Sequence, residues 1–395
     1  MQKVASSIKI PQKNASRGFR EGFDTPDARF FSRLVLDLIT HPLRKGFTTL
    51  WPSAMVFNVT YNCNSRCVMC NNWQRESNDL TADQWSAIFS DPLFEHVEEV
   101  GISGGEPTLR KDLPELVAII LEKFSRIRKV QITSNGFLPE RVLDIASQCY
   151  ELCRRSRVRF SFRISLDGIE EVHDRVRNVP GAFKNVEKTL ELLREKYQDN
   201  GQWIGISSVV MPQNVKSLSH MLEYLKEKDI NVLFAPLYFG KEAFDNLDRK
   251  EALAYSEEEK LLLIQFFKDL IGEMSLLNPA AYYYDRFVDG FKGAKTRNMA
   301  CPFKYEGIML KPDGDIHYCP NSRRIGSLLE RSAREIYFDN KNLDFRKKLR
   351  ERFCKTCFIV CMAHAGLRKE PFPLISWGIR RVWQRMIFNA RPAGS

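Results

Sequence analysis

Cys63, Cys67 and Cys70, in the run YNCNSRCVMCNNW, place three thiols within eight residues. Three thiolates suit a cubane [4Fe–4S] cluster whose fourth iron keeps an open position, whereas a structural zinc site wants four ligands. A zinc knuckle or buried thiols remain the alternatives for the triplet alone. Clustered cysteines in a reducing compartment, however, usually bind something. A second group lies far downstream. Cys301 and Cys319 bracket the pattern YEGIMLKPDGDIHYC, whose PDGD turn is a strong hairpin signal, and Cys354, Cys357 and Cys361 follow a basic helical stretch. Four of these five thiolates suffice for another cluster or for zinc, because spacing does not separate the two. The remaining pair, Cys149 and Cys153, sits at i, i+4 in an apolar helical pattern and reads as buried thiols.

The elements that must position these groups follow a regular alternation. Strand-like runs occupy 54–60, 97–103, 129–134, 158–165, 203–210 and 230–236, with helical patterns between them. Thr81 with Gln84, and Asp112 with Glu115, have capping-box spacing. Six strand–helix units imply parallel pairing through long crossovers, hence an α/β fold, a partial (β/α)6 TIM-type barrel with a small C-terminal extension. Functional groups should then gather beyond the C-terminal strand ends. The sequence agrees: the cysteine triplet follows the first strand, GGEPTLR the second, TSNG the third and SLDGIEEVHDRVR the fourth.

In spacing and address this pattern resembles the radical S-adenosylmethionine superfamily, over roughly residues 54–240. The resemblance implies that the open iron chelates S-adenosylmethionine through its amino and carboxylate groups. One-electron reduction then yields methionine and a 5′-deoxyadenosyl radical, chemistry supplied by the cofactors. It implies that Gly104, Gly105, Glu106 and Pro107 bind the methionine amino group, through close backbone approach at glycine and a carboxylate acceptor. Ser134, Asn135, Ser165 and Asp167 match positions that hydrogen-bond the ribose or methionine portion, and Arg177 the arginine aimed at the carboxylate. Ile206 to Val209 are expected to pack against adenine or the core. One departure is Met69, where relatives often carry an aromatic residue before the last cysteine; methionine fills the same space.

The C-terminal arrangement resembles the SPASM extension or its shortened twitch form. Five cysteines rather than seven fit one auxiliary [4Fe–4S] cluster, with Cys301, Cys319, Cys354 and Cys357 as ligands by the twitch pattern and Cys361 as a substitute or bystander. The organisation expected is an N-terminal extension (1–50), a core barrel (51–240), a helical connection (241–295), the auxiliary domain (296–365) and a basic tail (366–395).

Bulk properties limit the function classes. Of 395 residues, 44% are hydrophobic and 28% charged, an ordinary globular balance. No apolar run reaches the length of a membrane span and the N-terminus lacks a secretory core, so a cytoplasmic location is expected. The charge of +11 is spread over helix faces such as Arg154 to Arg159 and Lys347 to Arg352. No aromatic-rich basic module is present, so nucleic acid is not an expected partner. In the tail, Ile375, Ile379, Val382, Trp383, Met386 and Ile387 share one helical face, opposite Arg380, Arg381 and Arg385. Phe30, Phe31, Leu34, Val35 and Leu38 recur similarly before Arg44 and Lys45. Such segments either pack on the body of the protein or touch an anionic membrane interface.

The function expected is an oxidoreductase- or transferase-type enzyme abstracting hydrogen from a peptide, a lipid-linked compound or a small biosynthetic molecule. An electron donor such as flavodoxin or ferredoxin would serve it. The competing reading is a non-enzymatic, metal-stabilised binding protein with a basic surface facing nucleic acid or membrane. That reading makes Glu106, Ser134 and Asp167 coincidental, and the residues name no catalytic acid or base.

Overall fold

The computed structural model describes residues 49–197, 203–275, 278–296, 299, 301–359, 361–362, 365–367 and 371–389, without side chains at 371 and 384–389. All but the last two positions of the expected N-terminal extension lie outside the described residues, including the Phe30 to Leu38 pattern.

Six strands, β1 (Ala54–Asn58), β2 (Glu99–Ser103), β3 (Lys129–Ser134), β4 (Arg159–Ser165), β5 (Ile204–Val210) and β6 (Val232–Pro236), pair in parallel in chain order. On β3 and β4 apolar residues (Val130 and Ile132; Phe160, Phe162 and Ile164) alternate with polar ones, so the apolar side chains share one face of the sheet. One register row, Phe57–Ile102–Ile132–Phe162–Ile204, crosses five strands and is buried throughout. The crossover helices include α1 (Ala82–Phe89), α2 (Leu113–Lys123), α3 (Pro139–Arg155), α4 (Glu171–Arg177), α5 (Ala182–Lys196) and α6 (Leu218–Glu227). Thr81 and Gln84 form the expected capping box at the start of α1. Asp112 does not cap α2: its carboxylate instead accepts from Arg110 Nε at 2.9 Å, and an arginine two residues away outcompetes the helix amides. Cys149 and Cys153 are fully buried in α3, as expected of small thiols.

The PDGD hairpin forms between β7 (Gly307–Leu310) and β8 (Asp315–His317), with β9 (Arg324–Ser327) beyond it. β7 pairs in parallel with β1, so the hairpin extends the barrel sheet to nine strands, with order β6-β5-β4-β3-β2-β1-β7-β8-β9. The C-terminal ends of β1 and β7 therefore share one edge. At the opposite margin β6 is covered by α7 (Glu257–Glu273) and α8 (Pro279–Phe291). There the Phe234 amide donates to the Tyr284 hydroxyl at 3.1 Å, which occupies an edge group that would otherwise invite another strand. After β9 come α9 (Ala333–Tyr337), α10 (Asn340–Arg352) and the terminal α11 (Pro371–Asn389).

The tail pattern is helical, but α11 docks by the side opposite its apolar stripe. Trp377 Nε1 donates to Asp285 Oδ2 at 2.9 Å, and Arg381 donates to the carbonyls of Ile271, Met274 and Ser275 at the end of α7. Arg381 is thus buried, where the periodicity placed it on a solvated basic face. The unsatisfied carbonyls of a helix C-terminus are the physical reason, since a guanidinium satisfies several at once.

Candidate functional site

The loop after β1 carries Cys63, Cys67 and Cys70 and is held from four directions. The segment after β2 grips it first. A Cβ on Gly104, whose φ is +134°, would stand 2.3 Å from the Thr60 carbonyl oxygen, and one on Gly105 would stand 2.3 Å from that of Asn62. Only glycine lets the two backbones meet. The Gly105 and Glu106 amides then donate to the carbonyls of Thr60 and Asn62 at 2.7 and 2.8 Å. The close approach read from the sequence is therefore to the cysteine loop itself.

Glu106 is 1% exposed, and its carboxylate accepts from the Thr108 amide and hydroxyl, the Ser134 hydroxyl and the Asn135 amide, all at 2.6–3.0 Å. These bonds join the GGEP and TSNG segments, with Pro107 opening the short turn after Glu106. Burial still pushes the Glu106 carboxyl upward, opposed by these donors. Asn135 continues the chain of bonds by donating from Nδ2 to Asn64 Oδ1 at 2.6 Å, between two of the cysteines. Ser134 is consumed by Glu106 and by the Gly136 amide.

The third grip comes from the end of α4. Arg177 is 7% exposed, not solvated; its Nη2 lies 2.6 Å from Asp167 Oδ2, and its Nη1 donates to Cys67 Sγ at 3.6 Å. Asp167 is fully buried and also accepts from the Val209 amide at 2.8 Å, which ties β4 to β5. Burial raises the Asp167 carboxyl, and the guanidinium opposes that rise. Arg177 stays protonated despite burial because Asp167 and the Cys67 sulfur face it. His173 accepts from the Asp167 amide through Nδ1 at 3.1 Å, and burial holds it neutral, far below the usual histidine range. Ser165, at the end of β4, faces Ser207 across the ladder and is not joined to this network.

The fourth grip was not legible in the sequence, where 241–295 reads as connection. Asn246 is fully buried and donates to the Met69 carbonyl at 2.8 Å, and Arg249 reaches the Cys67 and Val68 carbonyls. Asn71 returns a bond to the Asp245 carbonyl at 2.8 Å. An asparagine or arginine bonded to carbonyls has no spacing signature. Only its place in space reveals it.

Around the triplet, Cys67, Met69, Val176, Met211 and Leu253 form a small apolar cluster of their own, with Val209 and Cys70 against it. Met69 and Val209 thus belong to one apolar cluster. Burial, reinforced by the neighbouring cysteines, pushes the Cys63 thiol up to about 12 and the Cys70 thiol up to about 11. None of the ten cysteines forms a disulfide. Iron must displace these protons, so loading couples to proton release. Among the described residues no three metal-donor side chains share one ion's reach. A cubane asks for one thiolate at each of three irons, and the donor chemistry, dry surround and Arg177 fit such a group.

The second cysteine group gathers at one cavity of about 290 Å³, lined by Cys301, Cys319, Cys354 and Cys357 but not by Cys361. Burial raises the Cys319 thiol, and Cys301, Cys354 and Cys357 push the same way. Arg346 of α10, 1% exposed, backs the cavity: it donates to the Tyr337 hydroxyl at 2.6 Å and stacks 4.4 Å over Tyr318. Tyr238, just after β6, holds a buried hydroxyl with no hydrogen-bond partner, and the charges nearest it are Cys357, Cys319 and Cys361. At the barrel edge, Lys311 is 2% exposed with its ammonium on the Glu242 carbonyl, and burial pulls it down to about 8. Tyr238 belongs to no motif the sequence displays, and Lys311 lies in the hairpin pattern without a signal of its own.

Comparison with known proteins bears on this arrangement. The Radical SAM superfamily model matches residues 57–225, and the SPASM iron–sulfur cluster-binding domain matches 301–358. An Fe-coproporphyrin III synthase of Methanosarcina barkeri is 33% identical over 52% of this chain and 48% of its own length. A GTP 3′,8-cyclase of Pasteurella multocida is 26% identical over 71% of this chain and 87% of its own. The chain thus spans about half the length of the first of these curated relatives. The fold of Streptococcus suis SuiB bound to S-adenosylmethionine superposes with a TM-score of 0.55 at 17% identity, covering 84% of this chain and 78% of SuiB. The matched families carry a [4Fe–4S] cluster with S-adenosylmethionine and an auxiliary iron–sulfur site. The chain belongs to the radical S-adenosylmethionine superfamily and carries a SPASM iron–sulfur domain.

Proposed function

We propose that Cys63, Cys67 and Cys70 ligate the cluster that binds S-adenosylmethionine, and that Cys301, Cys319, Cys354 and Cys357 ligate the auxiliary one. The first group, when bound, supplies reductive cleavage of S-adenosylmethionine to methionine and a 5′-deoxyadenosyl radical, which abstracts hydrogen from a peptide, lipid-linked or small biosynthetic substrate. The observation that carries this reading is the convergence of segments after β2, β3, β4 and β6 on the one loop holding the triplet. Within it, Glu106 and Asn135 fix the loop, Asp167 orients Arg177, and Arg177 faces the Cys67 sulfur. Met69, Val209 and Met211 keep water from that surface. Electrons would come from a flavodoxin- or ferredoxin-type donor in a reducing cytoplasm.

The test is anaerobic reconstitution, with iron, sulfide and 5′-deoxyadenosine measured after reduction in the presence of S-adenosylmethionine. Roughly eight irons per chain and nucleoside release are expected for two cubanes. Four irons plus zinc would reassign the C-terminal site, and no nucleoside under any reductant would favour a binding protein.

A further inference from the structure

The way α11 is docked leaves its apolar stripe facing outward. Trp377 and Arg381, at 7% and 8% exposure, anchor the inner side against α7 and α8. On the other side Phe372, Ile375, Ile379, Val382 and Trp383 are 53%, 37%, 60%, 39% and 62% exposed. At 100° per residue these five fall within an arc of about 100°, a continuous stripe along the helix. They make up five of the eleven exposed large apolar side chains among the described residues, so this surface holds an exceptional share of them. Scattered exposure is ordinary; a contiguous stripe marks an interaction surface.

Charge points to the occupant. The helix 371–389 carries three arginines and no acidic residue, Arg380 is exposed beside the stripe, and the chain is +11 overall. A second copy of the chain, meeting stripe to stripe, would bring like charges together in a self-complementary contact. An anionic bilayer instead offers phosphates to the exposed Arg380, an interfacial layer to Trp383 and Phe372, and acyl chains to Ile375 and Ile379. Among the described residues no helix is long and apolar enough to cross a membrane, which fits lying on the surface rather than spanning it. We propose that the outward stripe of α11 is a docking surface for anionic phospholipid bilayers, with the helix flat in the headgroup region.

The proposal does not depend on the radical chemistry and is tested separately from it. The reconstituted full chain is sedimented at low salt with vesicles of phosphatidylglycerol and phosphatidylcholine, and with phosphatidylcholine alone. Wild type should pellet with the anionic vesicles and at least tenfold less with neutral ones. The double variant Ile379→Asp, Trp383→Asp should lose anionic binding at least tenfold while keeping the circular dichroism spectrum and thermal midpoint of wild type, which report an intact fold. Equal pelleting of wild type and variant, or none with either vesicle, overturns the proposal. So does a dimer by light scattering that the variant dissolves, which assigns the stripe to a second copy. Pelleting that appears only after Phe31→Glu would overturn it too, by giving the stripe to the chain's own N-terminal segment.

Discussion

The two cysteine groups are built on opposite principles. The first sits on a single loop, and its geometry is imposed from outside by four other segments through buried polar side chains. The second draws Cys301, Cys319, Cys354 and Cys357 from separated stretches around an open cavity, and it is shaped by the hairpin, α10 and the buried Arg346. The difference teaches that the first group is preorganised by the barrel, whereas the second depends on the elements that its own cysteines join. A preorganised site should tolerate loss of its metal with little change of fold. A site assembled from distant segments should contribute folding energy when filled.

The largest break in this comparison is Cys67→Ala. It should abolish 5′-deoxyadenosine release and remove about half the iron, four of eight per chain, while the absorption of the auxiliary cluster persists. Next is Cys319→Ser, which should lose the auxiliary cluster and lower the thermal midpoint, leaving nucleoside release at a measurable level. Its partner Cys361→Ser, outside the cavity lining, should retain full iron; a loss equal to that of Cys319→Ser would put Cys361 in the ligand set.

Asp167→Asn breaks a buried ion pair and leaves Arg177 facing Cys67 alone. The expected cost is about 3–5 kcal/mol in denaturant unfolding, since an unpaired buried charge is left behind. Gly105→Ala should cost less, about 1–3 kcal/mol, and lower iron occupancy at the first site selectively, because its Cβ meets the Asn62 carbonyl. Smallest is a pH effect on the metal-free chain. Cys63 and Cys70 titrate near 12 and 11 in the fold, above the ordinary thiol value of 9.0. The unfolded chain therefore releases those protons first as pH rises. The contribution of the neutral thiols is fully present below pH 9 and is lost as the pH climbs toward 11 and then 12. A thermal midpoint that falls above pH 9 only in the metal-free chain would agree. One that is flat to pH 11 would show that the thiols are less buried than the packing indicates.

The barrel was legible because its signals are local. The six strands lie within a few residues of the runs read from the sequence, and the capping box at Thr81 marks a true helix start. Asp112 failed as a cap because its partner was chosen by an adjacent arginine. The motif residues were legible as a set, but their partners within the protein were not. Glu106 accepts from the Ser134 hydroxyl and Asp167 pairs with Arg177, partnerships visible only once burial is known. Asn246, Arg249, Tyr238 and Lys311 gave no signal, because single polar residues in a loop acquire meaning only from neighbours distant in sequence.

The sequence by itself determined the three-thiol spacing, the strand–helix period and the common edge at which the motifs gather, since spacing and periodicity are properties of neighbouring residues. Tertiary structure alone decided which partner each buried polar group satisfies, and that β7 extends the sheet beside β1. It also decided that α11 turns its apolar stripe to the outside. Those outcomes depend on desolvation and on competition among distant groups, and an amphipathic pattern names a stripe without saying what faces it.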